Sequence, residues 1–253
     1  MSNLSAFSLE GRRIAVTGAN TGIGQGIAVA VARARGTVVG IGRSAMDETA
    51  RLVEAEGADF LPVKADISDT GASVAMLNDL MAEGPLDGLV NNAGIIRRAD
   101  SVDFTEADWD DVMEVNLKSL FFLSQAFGRN CIAAKRGGRI VNIASLLAFQ
   151  GGIRVPSYTA SKHGVLGVTR LLANEWAAKG INVNAIAPGY IETNNTEALR
   201  NDPDRSKALL ERIPAGRWGV AADIGDAAVF LLARASNYMH GAVIPVDGGW
   251  LAR

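Results

Sequence analysis

The feature that most restricts how this chain can fold is a short apolar run ending in a glycine-rich turn. Residues 12–17 (R-R-I-A-V-T) read as a buried strand, T-G-A-N-T-G-I-G follows at once, and an alanine-rich stretch from Ile23 to about Arg35 reads as a helix. Strand, glycine turn, helix is the opening of a dinucleotide-binding unit. Gly18, Gly22 and Gly24, with Asn20, Thr21 and Ile23 between and beside them, leave room for backbone amides to approach a pyrophosphate at the positive end of the helix. The spacing is G-x-x-x-G-x-G rather than G-x-G-x-x-G. Taken alone, such a turn serves equally well as a plain tight bend. Its position between a strand and a helix favours the nucleotide.

The pattern then repeats. Residues 37–42 and 60–64 read as strands with a helix over 46–56 between them, a helix over 71–82 precedes a strand at 88–90, and a long helix runs from Glu106 to about Lys135. Residues 139–144 form the next strand, 157–179 a helix and 182–186 another strand. Strands separated by helices require crossover connections, and crossovers produce a parallel sheet covered on both faces. The sequence therefore predicts one doubly wound, Rossmann-like α/β domain over residues 1–253, with a mostly parallel seven-stranded sheet flanked by helices on both faces. Residues 188–214 interrupt the alternation with P-G-Y-I-E-T-N-N and polar helical pieces, and are predicted to be an insertion that covers the substrate.

Composition excludes several other classes. With 48% hydrophobic and 21% charged residues the chain buries a core rather than staying disordered. Its 25 basic and 27 acidic side chains leave a net charge of -2, so no global field recruits nucleic acid or an anionic membrane. The single cysteine, Cys131, lies in no metal or thiol-redox motif, and no metal site is expected. The N-terminal residues lack a signal-peptide pattern and no stretch approaches a membrane span, which predicts a cytoplasmic protein.

Chemistry concentrates between Ser145 and Lys162. Tyr158 and Lys162 are four residues apart, so on a helix they share a face. A phenol beside an ammonium is pressed toward its anion, which brings it toward neutral-pH proton transfer. Ser145 closes the strand R-I-V-N-I-A, within reach of a substrate oxygen. His163 follows Lys162 but points about 100° away around the helix, and is expected to lie outside the site.

These motifs together resemble the short-chain dehydrogenase/reductase family. The resemblance rests on T-G-x-x-x-G-x-G, Asp66 after the third strand, N-N-A-G at residues 91–94, Asn116, Ser145, Tyr158, Lys162, the Pro188-Gly189 pair and Thr193, in that order. It implies hydride transfer between a nicotinamide and a carbinol or carbonyl carbon. Tyr158 would exchange the substrate proton, Lys162 would depress the tyrosine pKa and bond the nicotinamide ribose, Ser145 would hold the substrate oxygen, and Asn116 would kink its helix and hold a relay water. Asp66 and Ile67 would contact the adenine, although Asp66 is equally placed to cap the helix it precedes. Asn92, Ala93 and Gly94 would line the cofactor, as would Pro188, Gly189 and Thr193.

The second strand ends at Gly42 and Arg43, where an NAD-specific member of the family carries an acid. Arg43 can pair a 2'-phosphate, so NADP is the expected cofactor, with NAD not excluded by glycine at 42. Within the family, Q-G-G-I-R-V-P-S-Y, A-P-G-Y-I-E-T-N-N-T and R-I-P-A-G-R-W-G resemble members that act on keto-sugar acids. That implies a small-molecule sugar-acid substrate, with Arg154 or Arg217 pairing its carboxylate and Gln150, Asn194 and Trp218 lining the pocket. A 3-oxoacyl reductase or polyol dehydrogenase would share every catalytic residue, and a catalytically silent nucleotide-binding module is a third reading. The resemblance also implies a homotetramer.

Overall fold

The apolar runs become seven strands of one sheet in the computed structural model, which describes residues 5–252. They are β1 (Arg13–Thr17), β2 (Thr37–Gly42), β3 (Phe60–Lys64), β4 (Gly88–Asn91), β5 (Gly138–Ile143), β6 (Ile181–Pro188) and β7 (Val243–Val246). Their order is β3-β2-β1-β4-β5-β6-β7, and every pairing is parallel, so the sheet is wholly rather than mostly parallel. The long strands β5 and β6 are buried along their whole length, including the polar side chains of Arg139, Asn142, Asn182 and Asn184, which find hydrogen-bond partners. The edge strand β3 is half exposed and carries Pro62, a residue that a central strand could not accommodate.

The helices are α1 (Gly22–Arg33), α2 (Asp47–Ala55), α3 (Thr70–Glu83), α4 (Glu106–Met113), α5 (Ser119–Ala133), α6 (Pro156–Trp176), α7 (Glu197–Arg200), α8 (Pro203–Arg212) and α9 (Ala221–Leu232). Successive residues of β1 point to opposite faces and sort them. Ile14 and Val16 join Ile27, Val31, Ile224 and Leu231, which puts α1 and α9 on one side. Ala15 joins Leu77, Phe127 and Trp176, which puts α3, α5 and α6 on the other. Both cores are closed to solvent, and the open ends of the strands are left to bind.

Two boundaries differ from the expectations. The long helix from Glu106 is not continuous: α4 gives way to a π-helical turn, Glu114–Lys118, before α5 begins. The buried Asn116 side chain bonds to the Ile95 backbone instead of facing solvent, and the extra residue of the π turn brings it there. The insertion at 188–214 starts where β6 ends and consists of a 3-10 turn, Asn194–Thr196, followed by α7 and α8. Among the described residues, no helix is long and apolar enough to cross a membrane. The expectations about residues 1–4 and Arg253 lie outside the described residues.

Candidate active site

The sheet reverses its winding between β1 and β4, and the loops that leave the C-terminal ends of the strands part there. They enclose a cleft of ≈ 1420 Å³. Gly18, Asn20, Thr21, Gly22 and Ile23 form one wall of it, and Arg43, Asp66 and Ile67 form the far corner. Asn92, Ala93 and Gly94 form the floor, and Ser145, Tyr158 and Lys162 the near end, beneath Pro188, Gly189, Thr193 and Asn194. Gly24 lies just inside the helix rather than on the cleft wall.

Backbone conformation builds the glycine wall. Gly18 adopts φ +67, and a side chain there would run into Asn92 and Ala93. A Cβ on Gly24 would lie 2.1 Å from the Gly18 carbonyl oxygen, so the helix can start this close to the turn only without one. Thr21, the residue before α1, is extended and makes no side-chain cap bond. The first amides of α1 therefore lack a side-chain acceptor and face the cleft, which is what a pyrophosphate needs.

The floor is fastened from beneath. Asn92 Nδ2 donates to the Thr17 carbonyl at 2.9 Å, and the amides of Asn92 and Ala93 both donate to Thr17 Oγ1 at 3.0 Å. Asn91 Nδ2 bonds Ser124 and Asn142, each at 2.9 Å, inside the core. Thr17 is a functional residue that motif spacing does not mark, although a threonine closing a strand directly before the glycine turn is a visible signal. Ser44 is a second such residue: it lines the far corner beside Arg43 and accepts from Asn20 Nδ2 at 2.6 Å.

In the far corner, Arg43 approaches Asp66 to 3.7 Å with both side chains substantially exposed, so its guanidinium remains available to an anion. Asp66 does not cap α3. That role falls to Asp69, which accepts from the Ala72 amide, while Asp66 accepts from the Ser68 amide and hydroxyl. Those bonds, with the Arg43 charge, hold the Asp66 carboxyl below its ordinary value.

The near end is assembled on α6 and the close of β5. Lys162 is buried, donates to the Ile143 carbonyl at 2.8 Å, and sits 5.5 Å from the centre of the Tyr158 ring. Ser145 caps the short turn Leu146–Ala148 by accepting from the Leu147 amide. Burial pushes Lys162 down to about 8, and it pushes the Tyr158 phenol up from its ordinary value. Ser145 and the charge of Arg98 pull the phenol in the other direction.

Asn116 does not line the cleft but stands behind it. Its Oδ1 accepts from the Ile95 amide at 2.8 Å, and its Nδ2 donates to the Ile95 carbonyl at 2.9 Å and to Ser161 Oγ at 3.3 Å. Ser161 in turn donates to the Tyr158 carbonyl at 2.8 Å. His163 turns its Nδ1 to the Thr159 carbonyl, and His240 contacts Asn182, so neither enters the site.

The expected substrate residues do not converge. Asn194 lines the cleft. Gln150 accepts from Trp250 Nε1 at 3.4 Å, Trp218 packs edge-on against Tyr190, and neither lines the cleft. Arg217 forms a two-pronged pair with Asp223, whose Oδ2 also accepts from the Val220 amide at the start of α9. That clamp turns Arg217 away from the cleft. Arg154 sits on an exposed rim loop at φ +63 and pairs with Asp100 at 3.0 Å.

A cleft at the winding reversal, glycine-walled at one end and holding a serine, a tyrosine and a lysine at the other, is the site of a nicotinamide-dependent oxidoreductase. The profile of a family described as enoyl-(acyl carrier protein) reductase matches residues 18–251, and the chain belongs to the short-chain dehydrogenase/reductase family. It is 57% identical over 251 residues to the 2-dehydro-3-deoxy-D-gluconate 5-dehydrogenase of Escherichia coli (strain K12), and 56% identical over 251 residues to that of Dickeya dadantii (strain 3937). Each match covers 99% of both chains. A crystal structure from Agrobacterium tumefaciens, described as a candidate 2-deoxy-D-gluconate 3-dehydrogenase with bound NADP, superposes with a TM-score of 0.95 at 62% identity, covering 100% of both chains.

Proposed function

We propose that this chain is an NADP-dependent dehydrogenase that interconverts a hydroxyl and a keto group on a sugar acid of the 2-dehydro-3-deoxy-D-gluconate or 2-deoxy-D-gluconate type. The observation that carries the reading is the pairing, across one cleft, of the Ser145–Tyr158–Lys162 cluster with the Arg43 corner. The names of relatives matching along the whole chain supply the substrate class.

A bound nicotinamide supplies the hydride donor or acceptor for the substrate carbon. Everything else belongs to the chain. Tyr158 gives its proton to the substrate carbonyl oxygen in reduction and takes the hydroxyl proton back in oxidation. Ser145, which lines the cleft with that phenol, holds the same oxygen in line. Lys162, anchored on the Ile143 carbonyl, holds a positive charge beside the ring whenever it is protonated, and that charge favours the phenolate. Asn116 fixes Ile95 and, through Ser161, the backbone of Tyr158. Gly18, Gly22 and the first amides of α1 take the pyrophosphate, and Asp66 and Ile67 border the adenine. Asn92, Ala93 and Gly94 support the nicotinamide side under Pro188, Gly189 and Thr193, and Arg43 with Ser44 takes the 2'-phosphate.

The substrate carboxylate needs a cation near Tyr158. Of the basic side chains on the cleft wall, Arg43 stands at the far corner, Lys162 belongs to the chemistry, and Lys118 and Arg97 each face carboxylates. Arg97 faces Asp108 and Asp111 at 3.3 and 3.0 Å, and the charge of its neighbour Arg98 reaches Tyr158. We assign the acid to the Arg97–Arg98 segment, with Arg154 at the rim as the alternative and residues 188–214 closing over it. Half-buried Phe121 and Phe122 on α5 and exposed Leu171 on α6 support burial between subunits and a homotetramer.

Steady-state rates with NADPH and NADH, measured across keto-sugar acids, a 3-oxoacyl thioester and a neutral ketone, test the reading. Preference for NADPH with a sugar acid is expected. Faster turnover of the thioester or the neutral ketone would remove the substrate assignment, and preference for NADH would remove the Arg43 assignment.

A further inference from the structure

The π turn, Glu114–Lys118, touches both ends of the cleft. On its far-corner side, Ser119 Oγ, the first residue beyond the turn, donates to the Ile67 carbonyl at 2.5 Å and is fully buried. Thr70 Oγ1 donates to Glu114 Oε1 at 2.7 Å and lies 3.1 Å from Ser119 Oγ. The buried Ser119 hydroxyl, the half-buried Thr70 hydroxyl and a carboxylate thus bolt the loop that carries Asp66 and Ile67 to the turn. On its near side, Asn116 holds both backbone polar groups of Ile95 and reaches Ser161, which bonds the Tyr158 carbonyl. A Cβ on Gly94 would lie 3.2 Å from Asn116 Oδ1 and 3.8 Å from Lys162 Nζ, so the turn and the catalytic lysine flank one backbone position.

A π turn has one residue more per turn than the helix around it, so its register depends on what grips its two sides. Here the grips are specific, and the Ser119 hydroxyl is fully buried, where losing a partner costs more than at an exposed site. We propose that Ser119 and Thr70 are positioning residues that lock the adenine-side loop and the Asn116 turn into one body, so that filling the adenine corner stiffens the backbone carrying Tyr158. The proposal rests on the nucleotide assignment of the cleft but not on the choice of sugar acid. It explains why a polar threonine and serine occur where α3 and α5 begin.

The test uses the adenine half of the cofactor alone. 2',5'-ADP reaches the far corner but contains no nicotinamide, and the Ile95 amide, bonded to Asn116, reports on the turn by hydrogen exchange. In the wild-type chain 2',5'-ADP is expected to slow exchange at residues 65–68 and also at Ile95, the latter by about 5-fold or more. In Ser119→Ala and in Thr70→Val the protection at 65–68 persists while the protection at Ile95 is lost, and Thr70→Ser restores it. Two variants guard against one failing to fold, which a melting curve shows. Protection of Ile95 that survives in the variants, or never appears in the wild type, overturns the coupling. No protection at 65–68 in the wild type overturns the nucleotide assignment and the coupling with it.

Discussion

The two ends of the cleft are built by different means. The cofactor end is made of backbone: amides of α1, a glycine turn that tolerates no Cβ at Gly24, and a floor stitched to Thr17 by hydrogen bonds of 2.9 to 3.0 Å. The other end depends on side chains from segments far apart in sequence, and the residues expected to read the substrate already have partners outside the cleft: Arg217 with Asp223, Arg154 with Asp100 and Gln150 with Trp250, while Arg97 on the cleft wall faces Asp108 and Asp111. A backbone site is fixed by local conformation and so by spacing. A side-chain site is fixed by which pairings the tertiary structure makes, which spacing does not encode.

The largest effect separates the chemistry from both ends. Tyr158→Phe removes only the hydroxyl and is expected to lower kcat by about 10²–10⁴-fold, the range for a general acid–base group. NADPH binding, followed by fluorescence, is expected to stay within a few tenths of a kcal/mol, about a twofold change. Loss of binding alongside activity would mean that the tyrosine belongs to the cofactor end as well.

Gly24→Ala comes next and strikes the backbone end directly. The added methyl meets the Gly18 carbonyl oxygen at 2.1 Å, so either the turn or the start of α1 must shift. Overpacking of this kind costs about 1–3 kcal/mol, occasionally more. Denaturant melts are expected to show that loss together with weakened NADPH binding, whereas Asn194→Ala on the opposite wall is expected to leave stability unchanged. Equal stability in the two variants would remove the contrast between the ends.

Most of the cofactor end was legible because its signals are local. The glycine turn, N-N-A-G and the Tyr158/Lys162 spacing each specify geometry over a few residues, and the structure brings all of them to one cleft. The break in the long helix was only half legible: the family resemblance implied a kink at Asn116, but its partner, the Ile95 backbone, is 21 residues away. Arg154 and Arg217 carry the charge that a carboxylate needs, but the acids that pair them, Asp100 and Asp223, stand on other elements. Asp66 resembled a helix cap because Asp69, the actual cap, has the same chemistry three residues on.

The pH dependence of stability probes the near end. Lys162 titrates at about 8 in the folded chain against an ordinary value near 10.5, so between those values the unfolded chain binds more protons than the folded one. Stability from this group therefore rises as pH climbs from 8 toward 10.5 and is at its lowest below 8, where the charge is buried intact. Each pKa unit corresponds to about 1.4 kcal/mol. Lys162→Met is expected to be more stable than wild type at pH 7, with the difference shrinking by pH 10. Tyr158 opposes this at higher pH: its raised value makes the fold lose stability above 10, as the unfolded phenol ionises first. A gap that widened with pH would mean that Lys162 is stabilised as a cation rather than penalised.

The smallest effects lie at the substrate rim, where they decide which arginine reads the acid. Arg154 and Asp100 are both largely exposed, and such pairs contribute about 0–1 kcal/mol. Arg154→Met is therefore expected to leave stability nearly unchanged. If Arg154 contacts the substrate carboxylate, this variant raises KM for a sugar acid far more than for a neutral ketone. If the Arg97–Arg98 segment does so, Arg98→Met produces that split and Arg154→Met does not. Arg217→Gln supplies the baseline, because its guanidinium is committed to Asp223 and the start of α9, and both substrates should respond to it alike. A KM split in Arg217→Gln would show that the lid moves Arg217 off Asp223 on closing, and the side-chain end of the cleft would then be assembled only when substrate is bound.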